Sequence, residues 1–501
     1  MRKKAAYIFI LRILRLGLSV LNLSFSARYF GVSAEKDVWL LALNAVLIFD
    51  MAIWGPINET FRAKFLFIKD QEGEALALQQ TRSLLLFTNL VTLMLVIGMM
   101  VFAPQIATLF APEYRLEERT ALILMIRVVA PTFLLNQVTK LLASVLNAYH
   151  SFIIPEITGL ITQLFTLVLF ISLAPVIGIY TLVISYYGGL LLLLFLLSRQ
   201  IRKLNISLFQ RFFQSNLQGA WPFVLFSLPF FMPYFAAQVN LVIEKSLASR
   251  TGVGAISILD YARKFSDIPL DSLTGIFSSL LVPVLSIHFL QQRKTDFLIE
   301  FRKIYQFGFL ILAVIVALLS ARPGMLVGIL YNQGGISAAS LEEIASLARL
   351  YSWAAFAIFL YITFGLVLIS IQKGWLYAAL GTFTQLLMIT LNLSLFPSFS
   401  IYTFPLALMA AHFVGAGLMA LFFPYKRAQL QGVTLQYTAV VVLVAAVLYG
   451  LNQWLPLENP FLLLPINLFL LALLLLLALF AFRLEERLLV LGYLKKIKGW
   501  M

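Results

Sequence analysis

Arg12, Arg15, Asp50, Arg127, Lys140, Glu156, Glu244, Lys245, Asp260, Arg263, Lys264 and Asp267 fall inside or at the ends of long apolar runs. A charge at bilayer depth costs several kcal/mol, about 3 on insertion scales, so it persists only beside a wet cavity or a partner. Arg12 and Arg15 are three apart, on one face of a helix. Planar guanidinium groups suit two-pronged binding of phosphate. Snorkelling to the headgroups is the competing reading, since both follow Lys4 closely. Asp260, Arg263, Lys264 and Asp267 recur at helical spacing, which gathers them on one stripe facing water or an opposing helix. An inert intrahelical salt-bridge ladder would give the same spacing. Pro269 follows the stripe as a place for a kink. Asp50, Glu156 and Glu244 are acids that could take a proton or Na⁺, or serve as structural counter-ions. This chemistry is anion binding in a hydrated, mainly cationic cavity, which points to transport.

Catalysis finds no support. There is no P-loop, Rossmann glycine fingerprint, GxSxG or HExxH pattern. The chain has no Cys and three scattered His (His150, His288 and His412), so neither a disulfide framework nor a metal site is expected. A membrane glycosyltransferase would want carboxylates or a His in a large polar loop, and the longest such loops, 104–119 and 322–346, are short and lack His. A non-transporting scaffold would not need buried charges. The net charge of +15 would suggest nucleic acid in a soluble protein; here basic cytoplasmic loops account for it, and no nucleic-acid partner is expected.

The elements that position these charges are membrane spans. Hydrophobic residues make up 61% of the 501-residue chain, and apolar stretches of span length recur throughout. We read an all-α polytopic membrane protein with about fourteen spans: 5–27, 38–55, 83–104, 120–148, 152–173, 177–198, 220–243, 255–289, 304–321, 347–371, 375–396, 401–424, 435–455 and 460–482. The first is read as uncleaved, because Arg12 and Arg15 interrupt it and no small-residue cleavage site follows. Lys/Arg clusters occupy both termini and alternate loops, so both termini are expected in the cytoplasm. Residues 200–218 and 483–501 read as amphipathic basic helices on the inner leaflet, and 323–340 as a short helix and turn outside the membrane.

A weak repeat sets the expected domains. Gly159-Leu-Ile-Thr-Gln-Leu164 reappears as Gly381-Thr-Phe-Thr-Gln-Leu386, each after a tight turn. Asn22 and Asn240 each precede a turn with a Gly-Val pair, Gly31-Val32 and Gly252-Val253. We therefore expect a six-helix lobe over 1–218, a second over 219–434, and an addition over 435–501, with substrate held where the lobes meet. Asn22 and, flanking the first turn, Arg28 and Asp37 join Asp260 and Asp267 as cavity or gate residues. An ion pair between Arg28 and Asp37 is an alternative.

The segment QVNLVIEKSLASRTGVGAISILDYARKFSDIP (238–269), with Leu281-Val282-Pro283 after it, resembles the seventh-to-eighth helix region of the MurJ/MviN lipid II flippases. SARYFGVSAEKDVWLLA (26–42), SVLNAYHSFIIPEITGL (144–160) and ILYNQGG (329–335) are similar to the family's first turn, its turn between helices four and five, and a periplasmic element. The likeness covers about 20–340; beyond it only hydropathy matches. It implies the multidrug/oligosaccharidyl-lipid/polysaccharide exporter fold, an inner-membrane location, and flipping of an undecaprenyl-pyrophosphate-linked glycan by alternating access. On this resemblance Lys264 takes the place of the family's eighth-helix cation and Asp37 that of its turn aspartate. The family's deeper first-helix arginine aligns with Asn22, its other one with Leu16 beside Arg15, and its second-helix arginine pair with Asp50 and Met51. The pyrophosphate is then expected against Arg12, Arg15, Arg263 and Lys264, and the lipid tail along 435–482. No cofactor is expected beyond Na⁺, H⁺ or membrane-potential coupling; the protein is expected to be a monomer in contact with membrane lipids. The rivals are a Wzx-like O-antigen or exopolysaccharide flippase and a MATE-like cation-coupled exporter.

Overall fold

The computed structural model of the chain describes residues 2–149, 151, 153–208, 215–425, 427–455, 457, 459–482, 484 and 487. Among them there is no strand. The helices in chain order are α1 (Arg2–Phe30), α2 (Ala34–Glu72), α3 (Glu74–Val101), α4 (Ala103–Phe110), α5 (Leu116–Val129), α6 (Thr132–Ala148), α7 (Ile153–Ile177), α8 (Tyr180–Lys203) and α9 (Trp221–Ala248). They continue with α10 (Ala255–Leu290), α11 (Lys294–Ala321), α12 (Pro323–Tyr331), α13 (Ala338–Ser370), α14 (Gly374–Phe399), α15 (Thr403–Ala420), α16 (Arg427–Gln453) and α17 (Pro460–Ala481). Eleven stretches among the described residues are long and apolar enough to cross a membrane. One of them holds both α14 and α15. Counting these apart, and adding the long helices α1 and α10, gives each of the about fourteen expected spans a helix.

The boundaries follow local chemistry. Gly31, at φ +56°, ends α1, and Ser33 caps α2 by accepting the Lys36 N–H at 3.2 Å. Glu35 and Asp37 then sit in the first turn of α2, where the helix dipole favours acids. Pro131 divides the expected span 120–148 into α5 and α6. α10 runs unbroken through Pro269. The expected amphipathic helix at 200–218 is not continuous: Asn205 takes φ +54°, and the Ile206 N–H bonds back to the Ile201 carbonyl at 3.2 Å, which closes α8 in a left-handed cap. Residues 209–214 and nearly all of the expected tail helix 483–501 lie outside the described residues. The expected short helix in 323–340 is α12.

The chain divides into two compact units. Unit 1 comprises Met1–Ile258, Gln333–Ile336 and Gly381–Ile401. In it α1 packs on α7, α7 on α8, and α2 on α5, α6 and α9. Phe61 of α2 stacks on Phe65 of the same helix and on Phe223 of α9, with ring centroids 5.8 and 5.1 Å away. Unit 2 comprises Leu259–Asn332, Ser337–Leu380 and Tyr402–Met501. Its core is an aromatic stripe on α11, where Phe301, Tyr305 and Phe309 recur every fourth residue on one face. Phe309 meets Phe356 and Phe359 of α13 at 5.0 and 5.6 Å and Tyr437 of α16 at 5.7 Å. Lipid tails are as apolar as these rings, so close packing and ring geometry hold the helices together.

Candidate functional site

In unit 1 the charged side chains meet across helices as acid–base pairs. Arg15 on α1 places Nη1 3.0 Å from Glu156 Oε2 on α7, with the arginine side chain about half exposed and the acid largely covered. Gly159, one turn further along α7, leaves room for the guanidinium: a Cβ there would stand 3.2 Å from Nη1. The same seam is pinned further along by Asn22, whose Nδ2 donates to the carbonyl oxygen and Oε1 of Gln163 at 2.9 and 2.8 Å. The backbone of Arg12 belongs to α1, but its side chain lies outside the described residues.

A second pair joins α2 to α6. Asp50 is fully buried and accepts from Lys140 Nζ at 2.5 Å and from Asn136 Nδ2 at 2.6 Å. Lys140 Nζ also lies 3.8 Å from Met51 Sδ. Positions 50 and 51 hold no cation of their own, yet α6 delivers an ammonium to both. Asn136 and Lys140 lie one turn apart on α6, so one helix face supplies both donors. Glu244 and Lys245 on α9 are both buried and lie 3.4 Å apart. Asp50 and Glu156 thus act as counter-ions to cations from neighbouring helices.

Asp37 caps another helix. Its carboxylate accepts from Gly254 N–H at 2.6 Å, Ser257 N–H at 2.8 Å and Ser257 Oγ at 2.5 Å, at the start of α10. A buried carboxylate at a helix N-terminus satisfies donors the helix leaves open and is favoured by its dipole. Asp37 turns to these donors and not to Arg28, which is exposed and lies over the Tyr29 ring at 5.7 Å. Tyr114, in the turn before α5, feels this carboxylate: burial first, then the charges of Asp37 and Glu118, push its phenol above the usual range. The turn 333–336 also seats against the end of α1. Gln333 donates to Ser24, and a Cβ on Gly335 would fall on the carbonyl oxygens of Ala27 and Arg28, so only glycine fits.

In unit 2 the stripe on α10 forms two intrahelical pairs, Lys264 Nζ to Asp260 Oδ1 at 3.3 Å and Arg263 Nε to Asp267 Oδ1 at 3.6 Å. The spacing is thus realised as two pairs one turn apart. All four side chains are nevertheless partly accessible. Tyr331 anchors this stripe: its hydroxyl donates to the Tyr261 carbonyl at 3.0 Å and its ring packs on Tyr261 at 4.9 Å. His412 on α15 is buried against Tyr361 at 5.0 Å and lies within electrostatic reach of Arg263. A groove of about 560 Å³ runs along α16, lined wholly by apolar surface that includes Leu435, Ala439, Val442, Leu443 and Phe482.

Among the described residues no group of three His, Cys, Asp or Glu could hold a metal ion. The sequence places Lys140 among the embedded charges but gives it no role; Gln163, Ser257 and Tyr331 escape it as site residues. The signal for Lys140 is its spacing from Asn136; the other three are ordinary span or turn residues whose partners are far away in sequence.

The fold has relatives. Comparison with curated proteins returned no match. Among solved structures the chain is similar to one described as lipid II flippase MurJ in an inward closed conformation, with a TM-score of 0.78 and 20% identity over 98% of this chain and 100% of that one. It is similar also to an inward-facing multidrug resistance MATE family transporter, with a TM-score of 0.63 and 12% identity over 84% of this chain and 99% of that one. A transporter from Pyrococcus furiosus of the same superfamily, described as having a binding pocket of reversed polarity, shares the fold at a TM-score of 0.56 and 13% identity, over 85% of this chain and 96% of that one. The family model for lipid II flippase MurJ matches residues 26–470, well past the stretch where motifs alone carry the likeness. With nearly the whole chain inside that match, from the Asp37 turn through the α10 stripe to α17, the protein belongs to the MurJ lipid II flippase family.

Proposed function

We propose that the protein moves an undecaprenyl-pyrophosphate-linked sugar precursor of the lipid II kind from the cytoplasmic to the outer leaflet of the bacterial inner membrane, by alternating access. It is a membrane transporter and not an enzyme. The observation that carries the reading is the state of its cations: Arg15, Arg263 and Lys264 lie on long helices, remain partly accessible, and each has an acid 3.0–3.6 Å away. An unpaired cation there would be costly, and a matched one is held ready. A pyrophosphate offers more negative charge than a single carboxylate and accepts two-pronged hydrogen bonds from arginine. It therefore displaces the acids as it binds. Release restores the pairs, which keeps the empty carrier neutral while it resets.

Arg12, Arg15, Arg263 and Lys264 are the proposed pyrophosphate contacts. The apolar groove along α16 is the proposed seat of the lipid tail. Asp50, Glu156 and Glu244 are the proposed points of coupling to H⁺, Na⁺ or the membrane potential, because protonating a counter-ion frees its cation. Asn22, Arg28, Asp37, Asp260 and Asp267 are the proposed gate and cavity residues, with Asp37 latching α2 to α10. We also propose two six-helix lobes, cytoplasmic termini and a monomer. The similarity to MATE transporters supports a second reading, cation-coupled export of a drug-like cation, whose cargo would seek the acids instead.

The test is flipping of a fluorescent undecaprenyl-pyrophosphate oligosaccharide in proteoliposomes. Transport by the wild-type protein, lost in Arg15→Ala and Lys264→Ala with insertion intact, is expected. Full activity in the double variant would remove the proposed anchor.

A further inference from the structure

Lys140 is a mid-helix cation that neither the family likeness nor the sequence pattern assigns to substrate. It lies eight residues from the end of α6, about 12 Å by helical rise, within one of the stretches long and apolar enough to cross a membrane. Its partner Asp50 is 0% exposed, whereas the Lys140 side chain is 33% exposed. Here the acid is inside and the ammonium faces outward. In a spanning segment an accessible ammonium must meet water, because lipid would cost several kcal/mol.

The hydrogen-bond inventory agrees. An ammonium has three donors. One goes to Asp50 Oδ2, and the second-nearest acceptor is the Met51 thioether at 3.8 Å, a weak one. Asp50 Oδ2 is shared with Asn136, so it keeps a neutral donor if Lys140 swings away. Along α2, Asn44, Leu47, Met51 and Asn58 form a half-exposed stripe at helical spacing, and Asn58 donates to Gln137 of α6 at 3.1 Å. Lys140 thus stands, partly accessible, in a seam of unit 1 between α2 and α6 that the Arg15–Glu156 pair does not occupy.

We propose that Lys140 is a further contact for the phosphate of the substrate, and that Asp50 is a positioning residue that holds its ammonium until an anion competes for it. This rests on the flippase reading above. The predicted order of binding follows from charge alone: a multiply charged phosphate outcompetes one carboxylate that is shared with Asn136.

Binding of inorganic pyrophosphate to the purified full-length protein, by calorimetry, and flipping of the fluorescent undecaprenyl-pyrophosphate oligosaccharide test this together. Lys140→Gln should weaken both by about tenfold or more, the loss of one charge-assisted hydrogen bond. Lys140→Arg should keep most of the binding. Asp50→Asn, which frees the ammonium, should bind pyrophosphate more tightly than wild type, and Asp50→Asn with Lys140→Gln should bind as poorly as Lys140→Gln alone. Thermal midpoints check folding, and the Asp50→Asn arm decides the matter if Lys140→Gln does not fold. A neutral double variant with wild-type binding and transport would make the pair purely structural and overturn the proposal. If Arg15→Ala loses transport while Lys140→Gln matches wild type, the flippase reading stands and this inference falls. If wild type neither binds nor flips the probes, both fall.

Discussion

Arg15 Nη1 and Glu156 Oε2 stand 3.0 Å apart across α1 and α7, and Gly159 is the residue whose missing side chain makes room for the arginine. The pair is thus sterically as well as electrostatically set. α7 presents its acid and its gap one turn apart, so the guanidinium rests beside a covered carboxylate. The Asp50–Lys140 pair follows the same plan, with the acid covered and the cation accessible.

This geometry makes Gly159 a sensitive position. Gly159→Ala should displace Arg15 by a few tenths of an ångström and lower transport, and Gly159→Val should lower it much further. Arg15→Lys should be worse tolerated than Lys264→Arg, since only the first loses a planar fork. Initial flipping rates in proteoliposomes, normalised to inserted protein, check both. Equal rates for Gly159→Val and wild type would show that Arg15 need not stay where α7 holds it.

The acids should respond differently from the cations. Glu156→Gln removes the charge that competes with substrate but keeps the shape. Pyrophosphate binding should tighten while turnover falls, because release no longer restores a pair. Calorimetry and flipping rates on one preparation measure the two effects. Weaker binding in Glu156→Gln would mean that the acid helps to hold the ligand, against the displacement mechanism.

The spans could be read from composition, and so could α12 and the embedded charges. The partnerships between those charges could not. Arg15 and Glu156 are 141 residues apart, and Lys140 and Asp50 are 90 apart. Hydropathy marks a charge as anomalous but does not say which helix answers it. The stripe on α10 was readable because its partners are one turn away on the same helix. Hydropathy also missed the length of α2. Its apolar part is read as 38–55, yet the helix continues to Glu72 through Pro56, whose carbonyl accepts the Thr60 hydroxyl at 2.9 Å. A helix that leaves the membrane stays helical without staying apolar. At the other extreme, Asn205 stops α8 by backbone conformation, a signal that charge patterning overrode.

The core of unit 2 should be intolerant at Phe309. It is 1% exposed, and its ring meets four aromatic neighbours at 4.9–5.7 Å. Phe309→Ala should cost about 3–5 kcal/mol, because the cavity loses contacts that lipid cannot refill. Phe309→Leu should cost less. Thermal midpoints in one detergent should rank wild type, Leu and Ala in that order.

The latch between Asp37 and the start of α10 gives the most local prediction. Three donors converge on one buried carboxylate, two of them the backbone N–H groups of Gly254 and Ser257. Asp37→Asn keeps the volume but loses the charge, and one amide oxygen replaces two carboxylate oxygens as acceptors. Asp37→Ala leaves buried donors unmet, at about 1–3 kcal/mol each. Hydrogen exchange at Gly254 and Ser257 should therefore quicken in the order wild type, Asn, Ala, while amides in the α11 core stay unchanged. If α10 must part from α2 during transport, the same order should appear in the flipping cycle as a loss of coupling, with the probe leaking in both directions in Asp37→Ala. Exchange that is uniform across the three proteins would show that the α10 terminus is held by its own turn and not by Asp37. Fast exchange with unimpaired one-way transport would leave the latch intact as structure but remove it from the gate.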